Sequence, residues 1–473
     1  MNSTRIESRL LRRPWLRPLT RFFMVAMPAL LMVFIIGKML DVTGPDSTYA
    51  RATSPAPGFY SSGALNQSGV KSRPSMSANE YQRRLEAIAK SANFLVGMCD
   101  DTGLFTYKIN LDPDIKHDPG YNMLRHCGTI YALSMHQDLS PSDETFAVML
   151  NATRFLTSNS IDGVPGESET MRSVWSHPEL THSTSPLQAK LGGSGLGLVA
   201  MCSVHVLDRK VAPLETIQGL GEFIRFMQKP DGSFYSKYIP SQGGRQDKWT
   251  SLYYPGEAAL GLLMLYEIDP DPQWAQGAIS ALQYLATSRE ELETVPADHW
   301  ALLATAKLLA LAEKGATLEF DRAHLVAHAA QVCEFILSEQ VSSTKYPLLM
   351  GGFATDGRTT PTSTRLEGLL AAMDILESNE HRLLKRRMER AIQQGILFLS
   401  NAQVHRGRYS GAFPRAMMQL PSDDSSEMRN FNRRATEVRI DYVQHAMSAM
   451  IQHLHLYGPT TTSAAHVGDQ NYD

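Results

Sequence analysis

Four carboxylates and one histidine stand near the starts of apolar segments in this 473-residue chain. These candidate catalytic residues are Glu257, Asp298, Glu367, Asp441 and His126. A pair of carboxyl groups can perform general acid and base catalysis, in which one group protonates a leaving oxygen and the other activates water. A histidine such as His126, or a tyrosine, can instead remove a proton from the carbon beside a carboxylate. The residue types leave both reactions open.

Basic and aromatic side chains accompany these acids and predict a binding surface. The candidate binding residues are Arg125, Lys190, Tyr254, His299, Arg365, Tyr442 and His445. Three long cations favour an acidic ligand, and aromatic rings suit the apolar C–H faces of sugars. His445 follows Asp441 by four residues, which places both on one helix face. That spacing suits two metal ligands, but no third follows at a matching spacing, so we predict no metal and no cofactor.

Each carboxylate also has a structural interpretation. Glu257 follows a proline in the first turn of a predicted helix, where an acid is stabilising. Asp298 is a good N-cap for the segment after it, Thr364 with Glu367 matches a capping box, and Asp441 is another candidate cap. Capping does not require acids to recur beside histidine, arginine and tyrosine. We therefore expect at least two of the four acids to face a ligand.

Two kinds of segment alternate along the chain and must position these residues. Six amphipathic segments end in an aromatic residue followed by an apolar one: Phe94-Leu95, Phe155-Leu156, Phe226-Met227, Tyr284-Leu285, Phe335-Ile336 and Phe398-Leu399. Six others, such as AALGLLMLY and ALLATAKLLALA, are apolar on nearly all sides. Half-exposed helices that alternate with buried ones predict a closed double ring whose inner helices are parallel. The first turns of the inner helices would then meet at one mouth.

Glycines mark two further features of this pattern. Loops that follow the amphipathic segments combine Gly103, Gly232, Gly352 or Gly407 with an aromatic residue, which is typical of tight turns that tuck a ring against a helix end. The stretch Gly192-Gly193-Ser194-Gly195 lies in a helical repeat, and we interpret it as a site of close helix contact.

The chain resembles the (α/α)6-toroid superfamily from about residue 80 to 457. The resemblance lies in the alternating hairpins and in segments such as GSFYSKY, which follows FIRFMQKPDGS. That superfamily includes glycoside hydrolases, polysaccharide lyases and epimerases, and also terpene cyclases and prenyltransferase β-subunits. The resemblance implies an all-α ring of six helical hairpins with substrate bound where the inner helices begin. The chain lacks DDxxD and DxDD clusters and a convincing Asp/Cys/His zinc set, which argues against terpene and prenyl chemistry.

The N-terminal region predicts export and anchoring. Residues 1–21 carry six arginines against one acid, and an apolar segment follows at 22–40. A basic flank before an apolar segment orients the N-terminus to the cytoplasm, so we expect a signal anchor in the inner (plasma) membrane and a periplasmic or extracytoplasmic domain at 79–457. Cleaved secretion is the alternative. We predict that residues 41–78 form a flexible linker and that residues 458–473 form a C-terminal tail.

Two functions of different classes fit these features. The first is a membrane-anchored enzyme that cleaves or modifies a polysaccharide or oligosaccharide, with an anionic one favoured by the basic residues and with hydrolase, lyase and epimerase chemistry all open. The second is a non-catalytic ring that binds glycan or a partner protein in an envelope polysaccharide assembly system. A net charge of −3 gives no reason to expect nucleic acid binding. The four cysteines form no CxxC pair and are interpreted as isolated thiols, with a Cys99–Cys127 disulfide as the alternative.

Overall fold

A computed structural model describes residues 76–116, 119–342, 346–377, 379–421 and 425–459. The predicted cytoplasmic segment, the signal anchor, nearly all of the linker and most of the tail lie outside these ranges. No helix within them is both long and apolar enough to cross a membrane. The four cysteines are free thiols.

Helices dominate the described chain and follow the predicted alternation. In chain order they are α1 (Ala78–Gly97), α2 (Met123–Leu139), α3 (Asp143–Asn159), α4 (Pro178–Thr181), α5 (Leu191–His205), α6 (Leu214–Phe226), α7 (Tyr254–Ile268), α8 (Pro272–Arg289), α9 (His299–Glu313), α10 (Arg322–Ser338), α11 (Thr359–Ile375), α12 (Arg382–Ala402), α13 (Ser426–Arg434) and α14 (Ile440–Tyr457). Helices α1, α3, α6, α8, α10 and α12 are amphipathic; α12, for example, buries Met388 and Ile392 and exposes Arg386 and Arg390. They form the outer layer.

The inner helices α2, α5, α7, α9, α11 and α14 form a closed ring. Each packs on the next, and α14 returns to pack on α2. Every residue of α5 is buried, as its apolar composition requires. A Cβ at Gly195 would lie 2.8 Å from the backbone nitrogen of Ala258 in α7, so the glycine-rich stretch allows close helix contact as predicted. The described chain therefore has the predicted ring.

The glycine loops lie where outer helices end, on the side where inner helices begin. Gly103 and Gly232 have φ angles of +89° and +90°, which only glycine adopts easily. The aromatic residues that follow, Phe105 and Phe234, are buried, and each pairs in an isolated bridge with a residue just beyond its helix. These two loops have the predicted form.

Two small antiparallel sheets are the main departure from an all-α chain. Strands β2 (Ile161–Gly163), β3 (Arg172–Ser176), β4 (Gln188–Lys190), β5 (Lys237–Ile239) and β6 (Gly244–Gln246) form one sheet in that order, and β1 (Lys108–Asn110) pairs with β7 (Glu437–Arg439). They lie in connections from outer to inner helices, so they are on the same side of the ring as the mouth. Strands of three to five residues are too short for a two-residue periodicity to predict.

Candidate functional site

A cavity of about 290 Å³ opens at the mouth formed by the first turns of the inner helices. Six of the predicted site residues line it: Arg125, His299, Arg365, Asp441, Tyr442 and His445. Tyr253 and Trp300, which lie beside predicted residues, line it too. Parallel inner helices thus bring together residues separated by more than 300 positions in the sequence.

Two histidines and a glutamate form the buried centre of the site. Nδ1 of His445 donates a hydrogen bond to Glu367, at 2.8 Å, and Nε2 of His299 lies 3.8 Å from the same oxygen. The centroids of the two imidazole rings are 5.6 Å apart. Neither ring nitrogen of His299 has a hydrogen-bond partner. One imidazole is therefore fixed by a carboxylate, while the other is free to exchange a proton.

The electrostatic surroundings keep His299 neutral. Burial disfavours the charged imidazolium, and interactions with His445, Arg365 and Arg125 disfavour it further, so the pKa of His299 lies well below its ordinary value. A neutral imidazole offers a lone pair at physiological pH. His299 consequently has the protonation state that a general base needs.

The same trio has the geometry of a metal-binding cluster. The nearest ligand atoms of His299, Glu367 and His445 all lie within 4.8 Å of one another. They come from three helices, so sequence spacing, which suggested Asp441 as the partner of His445, could not reveal His299 and Glu367. The donor types fit zinc, but the arginines that lower the pKa of His299 also repel a divalent cation. The absence of a metal stays a prediction.

Arginines supply most of the charge in the cavity. Besides Arg125 and Arg365, the lining residues include Arg358, Arg415, Arg434 and Arg439, which the sequence analysis missed. Several have carboxylate partners: Arg439 with Asp441 at 2.6 Å, Arg365 with Glu339 at 2.9 Å, Arg434 with Glu437 at 3.0 Å and Arg358 with Asp356 at 2.7 Å. The surplus of guanidinium groups among the lining residues makes the cavity a site for an anion.

Arg415 contributes a guanidinium group with spare donors. Its Nη1 is buried without a hydrogen-bond partner, and the group lies 4.8 Å from the ring of Phe431. Burial and then the charge of Arg434 lower its pKa. An unpaired donor in a cationic cavity is costly unless a ligand accepts from it.

Asp441 forms ion pairs with two arginines of the cavity. Burial alone would raise its pKa, but Arg125 and Arg439 outweigh burial and hold the pKa below its ordinary value. Arg439 donates to both carboxylate oxygens, and Arg125 Nε lies 3.4 Å from one of them. An ionised carboxylate held between two guanidinium groups is a poor proton donor. Its contacts favour a role in positioning Arg125 and Arg439.

Glu257, Tyr254 and Lys190 lie beside the cavity, where α5 meets α7. A Cβ at Gly192 would overlap both Glu257 and Tyr254, so that glycine makes room for them. Burial raises the pKa of Glu257 to about 8, although Arg125 partly opposes the rise, and its Oε2 has no hydrogen-bond partner. Glu257 is therefore a protonated, buried acid at neutral pH.

Replacing Glu257 with glutamine is expected to remove a pH dependence of folding. Because its pKa is raised in the folded state, its contribution to stability is complete below the ordinary value of 4.5 and is lost as the pH rises through about 8. We expect wild type to lose roughly 5 kcal/mol relative to Glu257→Gln over this range, because each unit of the pKa difference is worth about 1.4 kcal/mol. Urea unfolding at several pH values measures the free energy of unfolding of each variant. The exposed Glu291→Gln variant should show the same pH dependence as wild type. If the free energy of unfolding of Glu257→Gln changes with pH as that of wild type does, the raised pKa of Glu257 is contradicted.

Two predicted catalytic residues, Asp298 and His126, face away from the cavity. Asp298 caps α9 by accepting from the backbone of Ala301, and it pairs with buried Arg289 at 2.9 Å. His126 Nε2 donates to the carbonyl oxygen of Ala152 at 2.8 Å, and Nδ1 accepts from the hydroxyl of Tyr121. Burial lowers the pKa of His126 to about 4. Both residues make the contacts expected of structural groups.

The capping-box interpretation of Thr364 and Glu367 is wrong. Helix α11 begins at Thr359, so both residues lie inside it, and Thr364 Oγ1 donates to the carbonyl oxygens of Thr360 and Pro361. Pro361 is compatible with this earlier start because the first turn of a helix needs no backbone donor. The shift turns Glu367 inward to the histidines and places Arg358 at the N-cap, inside the cavity.

Comparison with solved structures supports the fold. The cellobiose 2-epimerase of Bacillus thermoamylovorans matches with a TM-score of 0.56 at 11% identity, covering 79% of this chain and 98% of that one. A D-mannose isomerase matches with a TM-score of 0.55 at 11% identity over 80% and 98%. The α-1,6-mannanase GH76A of a Salegentibacter species has a TM-score of 0.51 at 10% identity over 79% and 99%.

These identities are low, so the likeness establishes architecture. The chain has the (α/α)6-toroid fold that the sequence predicted. No protein-family model matches the sequence, and no curated protein matches it significantly.

Proposed function

We propose that this protein is an enzyme that transfers a proton at a carbon atom of an acidic saccharide, in the reaction class of sugar epimerases and isomerases. The observation that carries the proposal is the pair of imidazole rings, His299 and His445, 5.6 Å apart in one buried cavity. One ring is anchored by Glu367, and the other has no hydrogen bond. The names of the cellobiose 2-epimerase and D-mannose isomerase that share the fold support this class.

Proton transfer accounts for the protonation states at this centre. Neutral His299 takes the proton from a carbon beside a carbonyl group, the electron pair of the C–H bond forms a carbon–carbon double bond, and the π pair of the carbonyl group moves to its oxygen. Guanidinium groups such as those of Arg125 and Arg365 stabilise the resulting enediolate. His445, with Nδ1 held by Glu367, returns a proton from Nε2. Return to the opposite face of the same carbon gives the epimer. Return to the former carbonyl carbon, with transfer of the proton of the neighbouring hydroxyl to the enediolate oxygen, gives the isomer.

Hydrolysis by a carboxylate pair has weaker support. It needs two carboxyl groups on either side of the scissile bond, one of them able to donate a proton. Among the described residues that line the cavity, Asp441 alone bears a carboxylate, and two guanidinium groups hold it. Glu257 and Asp298, the first choices from sequence, lie outside the lining.

The arginines favour an anionic substrate. In the described chain six guanidinium groups face the cavity, and Nη1 of Arg415 has no acceptor. A carboxylate, sulfate or phosphate on the sugar would accept from such donors in a bidentate arrangement. A neutral sugar would leave the positive charge of Arg415 without an anionic partner.

The N-terminal sequence places the enzyme, in this proposal, on the outer face of the inner membrane. Arginines before the apolar segment at 22–40 favour a cytoplasmic N-terminus and an exported ring. Fusion of a reporter that works only outside the cytoplasm to the C-terminus tests this, with deletion of 22–40 as the control. Reporter activity that is independent of the apolar segment would contradict it.

Solvent exchange tests the reaction directly. The full-length chain is incubated in D₂O with mannose, glucose, cellobiose, glucuronate, mannuronate and oligomers of the two acids, and the sugars are followed by NMR. We expect deuterium to replace one carbon-bound hydrogen as an epimer or isomer forms, fastest with an acidic sugar. An unsaturated product would indicate a lyase, and new reducing ends without deuterium a hydrolase. Binding without any turnover would favour the non-catalytic alternative.

A further inference from the structure

A second group of positive charges lies across the mouth from the arginines. Lys190 ends β4 and Lys237 begins β5, and the two are paired directly in the antiparallel ladder. Side chains paired in this way share one face of the sheet, with Cβ atoms about 5 Å apart. Helices α5 and α7, which follow these strands, stand opposite α11 and α14 in the six-membered inner ring.

The charges of this pair are unbalanced. In the part of the chain that the structure describes, neither ammonium group forms an ion pair, whereas Lys229 nearby is paired with Asp247 at 2.8 Å. Burial, then Lys237, then Arg125 lower the pKa of Lys190. Like charges directly opposite on two strands are destabilising. An anion between the two ammonium groups would remove that cost.

The opposite face of the sheet shows which way the lysines point. Tyr238, next to Lys237, turns its ring onto Phe223 and Trp175 in the core, with centroid distances of 6.3 Å and 6.2 Å. Because successive strand residues alternate in direction, Lys237 points away from that core. Its Nζ lies 5.0 Å from the ring centroid of Trp249.

Trp249 is a large apolar surface beside these cations. Its side chain is 52% exposed, and its ring meets that of Tyr254 edge to face at 5.7 Å. Trp249 lies in the segment that leads into α7, at the rim of the mouth. An exposed indole next to two ammonium groups suits a sugar ring, whose C–H face stacks while its acidic substituent meets the charges.

Arg125 connects this group to the cavity. It lines the cavity beside the histidines and is also close enough to Lys190 to affect its protonation. A saccharide chain that crosses Arg125 could therefore contact the arginines with one sugar unit and the lysines with another.

We propose that Lys190, Lys237 and Trp249 form a second subsite, which binds an acidic sugar unit of the same chain whose reacting unit lies against the histidines. The inference depends on the proposed function and names its substrate class as an oligomer or polymer of anionic sugars. A monosaccharide would fill only the subsite at the histidines.

Binding measured against chain length tests the second subsite. Calorimetry of the full-length chain in detergent compares galacturonic acid with trigalacturonate, and a chondroitin sulfate disaccharide with the hexasaccharide, with cellotriose as the neutral control. We expect the longer member of at least one acidic pair to bind about 10-fold more tightly, which corresponds to 1.4 kcal/mol. Cellotriose should show no such gain.

Three variants complete the design. Trp249→Ala, and separately the double variant Lys190→Met/Lys237→Met, should lower affinity for the longer ligand about 10-fold. Lys210→Met, at an exposed position beyond the far end of α5, should leave it unchanged. Trp249→Ala alters an exposed side chain, so it remains informative if the lysine double variant folds poorly. Equal affinity for short and long ligands in wild type, or undiminished affinity in these variants, would overturn the proposal.

Failure here is distinguishable from failure of the proposed reaction. Deuterium exchange on a monosaccharide without any length effect would keep the epimerase or isomerase proposal and remove the second subsite. Length-dependent binding without exchange would keep the subsite and remove the reaction.

Discussion

Asparagine in place of His299 is expected to slow deuterium exchange by about 10²- to 10⁴-fold, the usual contribution of a general base. His299 has no hydrogen bond to lose, so the fold should persist. Asparagine is smaller and cannot accept a proton from carbon. Exchange rates by NMR, together with the midpoint of urea unfolding, separate loss of chemistry from loss of structure.

The pH profile adds an independent readout for His299. Because its pKa lies well below the ordinary value, it stays neutral as the pH falls from 8 to 6. The rate should therefore show no loss over this range that is due to protonation of His299, as an ordinary histidine near pH 6.5 would cause. The exposed His182→Asn variant is the matched control, since its left-handed backbone tolerates asparagine. Exchange by His299→Asn within about threefold of wild type would rule out a base role.

The architecture was predictable because it depends on composition over long segments. Amphipathic and fully apolar segments alternate over most of the chain, and burial of every residue in α5 follows directly from LGGSGLGLVAMCSVH. The glycine loops were also predictable, because Gly103 and Gly232 adopt positive φ angles that other residues avoid. The short strands around the mouth were not predicted, because three-residue strands depend on pairing with distant strands.

The members of the cavity were only partly predictable from the sequence, and their roles less so. Choosing residues at helix starts selected Arg125, His299 and His445, which do line the cavity, but it also selected Glu257 and Asp298, which do not. It could not show that Glu367 would contact both histidines, because that depends on how α9, α11 and α14 face one another. The predicted N-cap of α11, Thr364, lies six residues after the observed one, so the prediction missed Arg358. Arg415 gave no local signal, since it lies in a loop held beside Arg358 by the bridge to Ala416.

Removing the charge of Asp298 is expected to cost more stability than any other substitution considered for this ring. Asp298→Asn keeps an N-cap side chain but leaves the guanidinium of Arg289 buried and unpaired. Breaking one partner of a buried pair typically costs about 3–5 kcal/mol. Equilibrium urea unfolding measures this, and the exposed Asp101→Asn is the matched control.

The two partners of this pair should respond unequally, which distinguishes pairing from catalysis. Burial raises the pKa of Asp298 more than Arg289 lowers it, so after Arg289→Met the carboxyl group can take up a proton and become neutral. Arginine cannot lose its charge in this way, because its guanidinium group stays protonated. Asp298→Asn should therefore be the more destabilising single change. The double variant Arg289→Met/Asp298→Asn should recover most of the stability, because it leaves no buried charge unpaired. If Asp298 only stabilises the start of α9, the double variant should also keep its deuterium-exchange activity. A double variant that folds but is inactive would indicate that Asp298 takes part in catalysis.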